Sequence, residues 1–368
     1  MPRVLLVFGT RPEAIKMAPL VRVLGERTEF EVVTCVTAQH REMLDQVLNW
    51  FSIRPDYDLD LMQPNQTLAA LTARALEGIT EVIAQVTPDV VLTQGDTTTA
   101  MATAMAAFYL RTPVGHVEAG LRTRNLYNPF PEEVNRHLIS VMATYNFAPT
   151  ERARQALLEE GVNPASIYVT GNTVIDALQW TVAQPHELRL NVPLDRPDER
   201  LILITAHRRE SFGPDFEAIC HALHQIAQRN PDVRLIYPVH LNPNVQEPVY
   251  RILSGVERVH LIDPLPYPDF AHLMSRSTLI LTDSGGIQEE APALGKPVLV
   301  MRTTTERPEA IEAGTARLVG TDTATIVAAT EELLRNPAAY AAMANAVSPF
   351  GDGHAAERIA DILAQQMG

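Results

Sequence analysis

Asp283-Ser284-Gly285-Gly286-Ile287-Gln288-Glu289-Glu290 follows the apolar run Ser277-Thr278-Leu279-Ile280-Leu281-Thr282. The run reads as a buried parallel strand, and the segment after the glycines reads as a helix. A strand that passes straight into a helix through a short glycine turn is the building unit of a doubly wound α/β sheet. The same turn carries chemistry. Bare backbone N–H groups at the positive end of a helix dipole face an anion, and Glu290, about one turn further on, is placed to hold sugar hydroxyls. The stretch reads either as a nucleotide diphosphate site or as a turn with a purely structural task.

Outward from this point the strand–helix alternation repeats. Segments 201–205, 234–238, 259–261, 278–281 and 297–300 read as strands, with helices at 216–229, 267–274 and 288–294. A first series precedes them, with strands at 4–8, 31–37, 90–93, 114–118 and 145–148 and helices at 14–24, 41–48, 68–86 and 98–110. Two such series predict an α/β protein of two Rossmann-like domains facing across a cleft, with ligands outside the carboxyl ends of the strands. The segment 184–199 (QPHELRLNVPLDRPDE) is rich in proline and charge and reads as the boundary. The expected domains are therefore 1–185 and 198–352, with a last helix at 355–367 in a tail, 353–368, that packs back on the first domain. The alanine-rich stretch 331–346 reads as one ordinary helix.

The chain has 368 residues, 46% hydrophobic and 20% charged, the composition of a soluble globular enzyme. Its formal net charge of −14 argues against nucleic-acid or membrane-surface binding, so any phosphate site must be a local positive pocket. No apolar run is long enough to span a membrane, and the opening residues read as a first strand rather than a signal peptide. Cys35 and Cys220 lack zinc-type spacing. Two buried thiols in a reduced cytoplasm are the expectation.

Residues that suit catalysis collect at the ends of the first-series strands. Gly9-Thr10-Arg11-Pro12-Glu13 occupies the first βα turn without being a dinucleotide-binding G-x-G-x-x-G. Gly9 permits a tight turn there, and Pro12 suits the start of a helix. Arg11 and Lys16 either meet a phosphate or lie exposed at that helix start. Asp96 stands at a strand end before a helix, either as its N-cap or as a catalytic carboxylate. Glu118 ends the next strand, and Glu132 opens a helix, where a carboxylate is often only a dipole partner. His116 and Glu118 form an H-x-E pair, but no P-C-x-x-C follows, so zinc is not expected. In the second series His207, Arg208 and Arg209 end a strand and favour an anion or form a solvated loop. His240 reads as structural. Tyr267 and Phe270 either stack on a base or pack in the core, and Arg302 and Arg307 follow a strand within reach of phosphate.

Taken together these segments resemble the non-hydrolysing UDP-N-acetylglucosamine 2-epimerases. The resemblance runs through G-T-R-P-E at 9–13, A-Q-H-R-E-M-L-D-Q-V-L at 38–48, Q-G-D-T at 94–97, H-V-E-A-G-L-R-T at 116–123, P-E-E-x-N-R at 131–136, H-R-R-E-S at 207–211, D-S-G-G-I-Q-E-E at 283–290 and E-R-P-E at 306–309. It implies a GT-B-type fold and interconversion of UDP-GlcNAc and UDP-ManNAc, with no cofactor or metal. It also implies roles. UDP would be held by Arg11, His207, Phe270, Ser284, Gly285, Gly286, Glu290 and Arg307. Lys16, Asp96, Glu118, Glu132 and Arg136 would lie near the reacting sugar, with Asp96, Glu118, Glu132 and His207 as the catalytic set. A second, activating UDP-GlcNAc would meet Gln39, His40, Arg41 and Arg208 or Arg209. A homodimer is expected. Position 38 is Ala where the family commonly has Gly, which a turn of negative φ accommodates.

Overall fold

The computed structural model describes residues 1–38, 41–63, 66–188, 190, 192 and 199–368. Among them the chain divides into two compact units, Met1–Ala177 with Phe350–Gly368, and Leu178–Pro349. The first division point falls inside the helix Thr173–Ala183.

In chain order the strands are β1 (Arg3–Phe8), β2 (Glu31–Val36), β3 (Tyr57–Asp58), β4 (Val90–Gln94), β5 (Val114–Val117), β6 (Tyr145–Ala148) and β7 (Ile167–Val169) in the first unit. The second unit has β8 (Arg200–Thr205), β9 (Val233–Pro238), β10 (Val259–Ile262), β11 (Leu279–Thr282), β12 (Val298–Val300) and β13 (Ala316–Leu318). The first sheet runs β3-β2-β1-β4-β5-β6-β7 and the second β10-β9-β8-β11-β12-β13. Every pairing is parallel. The order reverses between β1 and β4 in one sheet and between β8 and β11 in the other. A crevice opens at the carboxyl ends of the strands at such a reversal.

The central strands are apolar runs because both of their faces are covered. Leu5, Leu6, Val7, Val91 and Leu92 are fully buried in the first unit, as are Leu203, Ile204, Ile280 and Leu281 in the second. The last helix, Ala355–Met367, buries Ala356, Ile359, Ala360 and Leu363 along one stripe. Arg27, just past the end of the helix Arg11–Glu26, pairs with Asp361 at 2.6 Å. No helix among the described residues is long and apolar enough to cross a membrane.

The stretch 331–346 is not one helix. Thr323–Arg335 ends and Pro337–Ala344 begins around Asn336. The Asn336 side chain accepts the N–H groups of Ala338 and Ala339, and Pro337 has no N–H with which to continue the first helix. The alanine content had masked that stop signal.

Candidate active site

In the first unit the candidate residues follow three neighbouring strands. Thr10, after β1, caps the helix Arg11–Glu26 in a reciprocal capping box with Glu13. Glu13 is 1% exposed, and its carboxylate accepts the N–H groups of Gly9 and Thr10 and the hydroxyl of Thr97. One side chain thereby ties the loop after β1 to the loop after β4. Gly9 is required by crowding rather than by a special φ. A Cβ there would lie 1.9 Å from Thr37 Oγ1. Arg11, first in this helix, is partly exposed.

Asp96 is not the N-cap of the helix Thr98–Tyr109. Thr97 is, its hydroxyl accepting the Ala100 N–H at 3.0 Å. The Asp96 carboxylate is left to Arg136, whose Nε and terminal nitrogen both reach Oδ2, at 2.9 and 2.8 Å. Arg136 is in turn braced by Glu133 at 2.7 Å. Glu133 is fully buried and also accepts the N–H groups of Thr123 and Arg124. Burial works against its charge, but those N–H groups and the guanidinium prevail, and its carboxyl sits below the usual carboxylate range. Glu132, the first residue of the helix Glu132–Met142, buries an Oε2 with no hydrogen-bond partner.

Glu118 stands immediately after β5 in the left-handed region, φ 66°. A non-glycine residue held there signals a backbone constrained by its surroundings. Its side chain is buried and ringed by donors. Lys16 Nζ reaches both oxygens, at 2.6 and 2.7 Å, Asn172 Nδ2 donates to Oε1 at 2.9 Å, and Gln94 Nε2 donates to Oε2. Lys16 is thus paired with a carboxylate. His116, beneath this edge, is fully buried with Nε2 2.7 Å from the Gly95 carbonyl, a structural placement.

In the second unit the site forms around the ends of β8, β11 and β12. Asp283 is fully buried, and its Oδ2 accepts the N–H groups of His207 and Arg208, at 2.6 and 2.7 Å. This carboxylate joins the two loops that flank the strand-order reversal. His207 stacks on His240, centroids 5.3 Å apart. Burial, with help from His240 and Arg208, pushes the His207 imidazole below its ordinary value against the pull of Asp283. Ser284 precedes the helix Gly285–Ala293 without giving it a side-chain cap. A Cβ on Gly285 would lie 3.7 Å from the Arg208 guanidinium, and one on Gly286 would lie 3.4 Å from Glu290 Oε1. The glycines thus leave room between a cation and a carboxylate at the positive end of a helix.

Arg302 is 4% exposed and is committed to Glu210 and Glu306. It holds the Glu306 carboxyl down at about 2. Arg307 is bonded to Glu289. Of the aromatic pair both rings are half-buried, and the Tyr267 hydroxyl is buried and pushed well up by burial and by the charge of Glu290. Gln39 and His40 lie outside the described residues. Arg41 pairs with Asp58 at 2.7 Å and Asp60 at 3.4 Å, and Arg209 is exposed. Ala38 has φ 51°, so the negative φ expected of an alanine there is not what the turn adopts.

Gln94, Asn172, Glu133 and Asp283 carry no assigned role in the sequence reading, yet each fixes a candidate catalytic group. A capping box at Thr10–Glu13 was the missed local signal for the first loop. Nothing near Asn172 announces a partner 54 positions away.

The family model described as UDP-N-acetylglucosamine 2-epimerase matches residues 22–364. The UDP-N-acetylglucosamine 2-epimerase of Escherichia coli (strain K12) is 60% identical over 368 residues, covering 98% of each chain. A crystal structure from Listeria monocytogenes superposes with a TM-score of 0.94 at 51% identity, covering 100% of this chain and 97% of that one. The UDP-GlcNAc 2-epimerase of Neisseria meningitidis, solved bound to UDP-GlcNAc, gives 0.88 at 49% identity, with 99% and 100% covered. The two parallel sheets flanked by helices are those of the GT-B-type fold.

Proposed function

The chain belongs to the UDP-N-acetylglucosamine 2-epimerase family, and from that membership we propose that it interconverts UDP-GlcNAc and UDP-ManNAc without net hydrolysis. The observation that carries the chemistry is the all-donor shell of Glu118 beside the Asp96–Arg136 pair and the unpartnered Oε2 of Glu132.

The hydrogen on carbon 2 of the sugar is not acidic, because no carbonyl is attached. Departure of UDP from carbon 1 changes that. As the C1–O bond breaks, the developing positive charge acidifies carbon 2, a carboxylate takes the proton, and the electron pair of the C2–H bond becomes the C1–C2 double bond of 2-acetamidoglucal. A second group returns a proton to carbon 2 from the other face, and a diphosphate oxygen re-forms the bond to carbon 1. Inversion needs two acid–base groups. Glu118, ringed by donors, is suited to act as the anion that accepts a proton. Glu132, with a buried oxygen left unpartnered, is a second candidate acid–base group. Asp96, paired with Arg136, is the third member of the set. Arg11, His207, Arg307 and the Ser284–Gly286 amides supply positive potential for the departing diphosphate, with Glu290 and Phe270 completing the nucleotide contacts.

No hydride moves, so the scheme calls for no nicotinamide. A second UDP-GlcNAc acting as activator, through Arg41 and Arg208 or Arg209, belongs to the same reading. So does a homodimer, for which the exposed Phe108 and Tyr109 on the helix Thr98–Tyr109 and Val141 on the helix Glu132–Met142 offer apolar surface.

Proton NMR of UDP-GlcNAc with the purified protein in D₂O tests the scheme. The expected product is UDP-ManNAc carrying deuterium at carbon 2. Protium retained throughout would overturn it. Free ManNAc and UDP would mark a hydrolysing enzyme, and turnover only with an added acceptor would mark a transferase.

A further inference from the structure

Asn172 lies five positions before the chain leaves the first unit at Ala177, and Phe350 is the residue at which it returns. The two points are stitched together. The Asn172 backbone N–H donates to the Phe350 carbonyl at 2.7 Å, and Gly171 and Gly351 pack backbone on backbone, a Cβ on Gly171 standing only 3.2 Å from the Gly351 Cα. The Asn172 side chain is 2% exposed, and both ends of its amide are bonded. Oδ1 accepts the Val174 N–H at 3.2 Å, and Nδ2 donates to Glu118 Oε1 at 2.9 Å. The orientation of the amide follows from its partners: an N–H on one side demands the oxygen, and a carboxylate on the other demands the nitrogen.

Gln94, 3% exposed, provides the matching donor on the other Glu118 oxygen. The two amides, one after β7 and one at the end of β4, leave the carboxylate a single orientation. They do so without adding charge, whereas Lys16 alone is a flexible point charge that can follow the carboxylate wherever it turns. We propose that Asn172, with Gln94, is a positioning residue of the epimerisation. It fixes the rotamer and the ionised state of Glu118, and it links that carboxylate to the point where the polypeptide exits and re-enters the unit. This inference rests on the role given to Glu118 under Proposed function.

Asn172→Asp isolates the effect. The substitution keeps the backbone bond to Phe350 and an oxygen for the Val174 N–H, and replaces only the donor that faces Glu118 with an acceptor. A carboxylate so placed disfavours the anionic form of Glu118. The expected result is a kcat lower by on the order of 100-fold, as misplacement of a reacting group commonly costs. KM and UDP affinity, measured by calorimetric titration, stay within about two-fold. The acidic limb of the kcat–pH profile moves to higher pH by about one unit. Asn172→Ala, which also removes the Val174 contact, shows the same kinetic loss together with a lower melting temperature.

A parent enzyme that is active, with an Asn172→Asp variant of unchanged kcat and unmoved pH profile, would overturn the positioning role and leave the epimerase reading intact. An Asn172→Asp protein that fails to fold would also overturn it, by showing the donor to be structural. A parent protein that exchanges no deuterium into carbon 2 would instead overturn the epimerase reading, and this role with it.

Discussion

The Asp96 carboxylate and the Thr97 hydroxyl sit on adjacent residues with separate tasks, and the separation makes them experimentally distinguishable. Thr97 caps a helix and bonds Glu13, so Thr97→Ala should lower stability by about 1–2 kcal/mol in a urea titration. Asp96→Asn keeps a side chain of the same shape against Arg136. It should unfold at nearly the same urea concentration, while kcat falls at least on the order of 100-fold and UDP affinity holds. From the chain alone the two tasks could not be divided, because Asp and Thr are both favoured caps at a strand–helix junction. Residue types at strand ends were legible. Which of them is bonded to which was not, since the partners of Glu118 come from 102, 24 and 54 positions away. Arg302 shows the same limit. Its position after a strand suggested phosphate, and its burial between two carboxylates makes it a brace for the loop instead.

At the scale of elements, long apolar runs flanked by turns announced the central strands, and three short edge strands escaped notice. β3 has two residues and β7 and β13 three each, too few for a period to register, and each is an edge strand recruited by the sheet beside it. β5 carries an element-level prediction. His116, on this strand, is fully buried and donates to the Gly95 carbonyl from the only tautomer that a carbonyl permits. Burial, aided by the nearby arginines and opposed by the Gly95 bond and by Glu118, lowers its pKa to about 4 from an ordinary 6.5. The neutral ring is thus the form that fits. Its contribution to stability is whole above about pH 6.5 and is lost as the pH falls towards 4, at up to roughly 1.4 kcal/mol per pH unit. Urea unfolding between pH 7 and 4 should show that slope in the parent. The slope should flatten in His116→Gln, which can still donate to Gly95 but has no proton to gain.

For the whole molecule, the alternation of strands and helices predicted two parallel units, and their two sheets bear that out. The first unit draws on both ends of the chain and the second on an uninterrupted stretch. Deleting residues 353–368 should therefore act on one unit alone. Removing Ile359 and Leu363 forfeits about 1.5–3 kcal/mol for each buried side chain. Scanning calorimetry of the truncated protein should show the transition of the first unit moved down, with that of the second in place. A uniform drop of both would contradict the division.

That division also sets an order of events during synthesis. Phe350–Gly368 is made after the whole of the second unit, yet it completes the unit that was begun before it. Until Phe350–Gly368 has been made, the first unit must wait with the seat of the helix Ala355–Met367 uncovered, although the second unit is already complete in sequence and free to fold ahead of it. The earlier-made half of the protein is then the later to mature, and its uncovered apolar seat is the surface a chaperone would meet on the nascent chain.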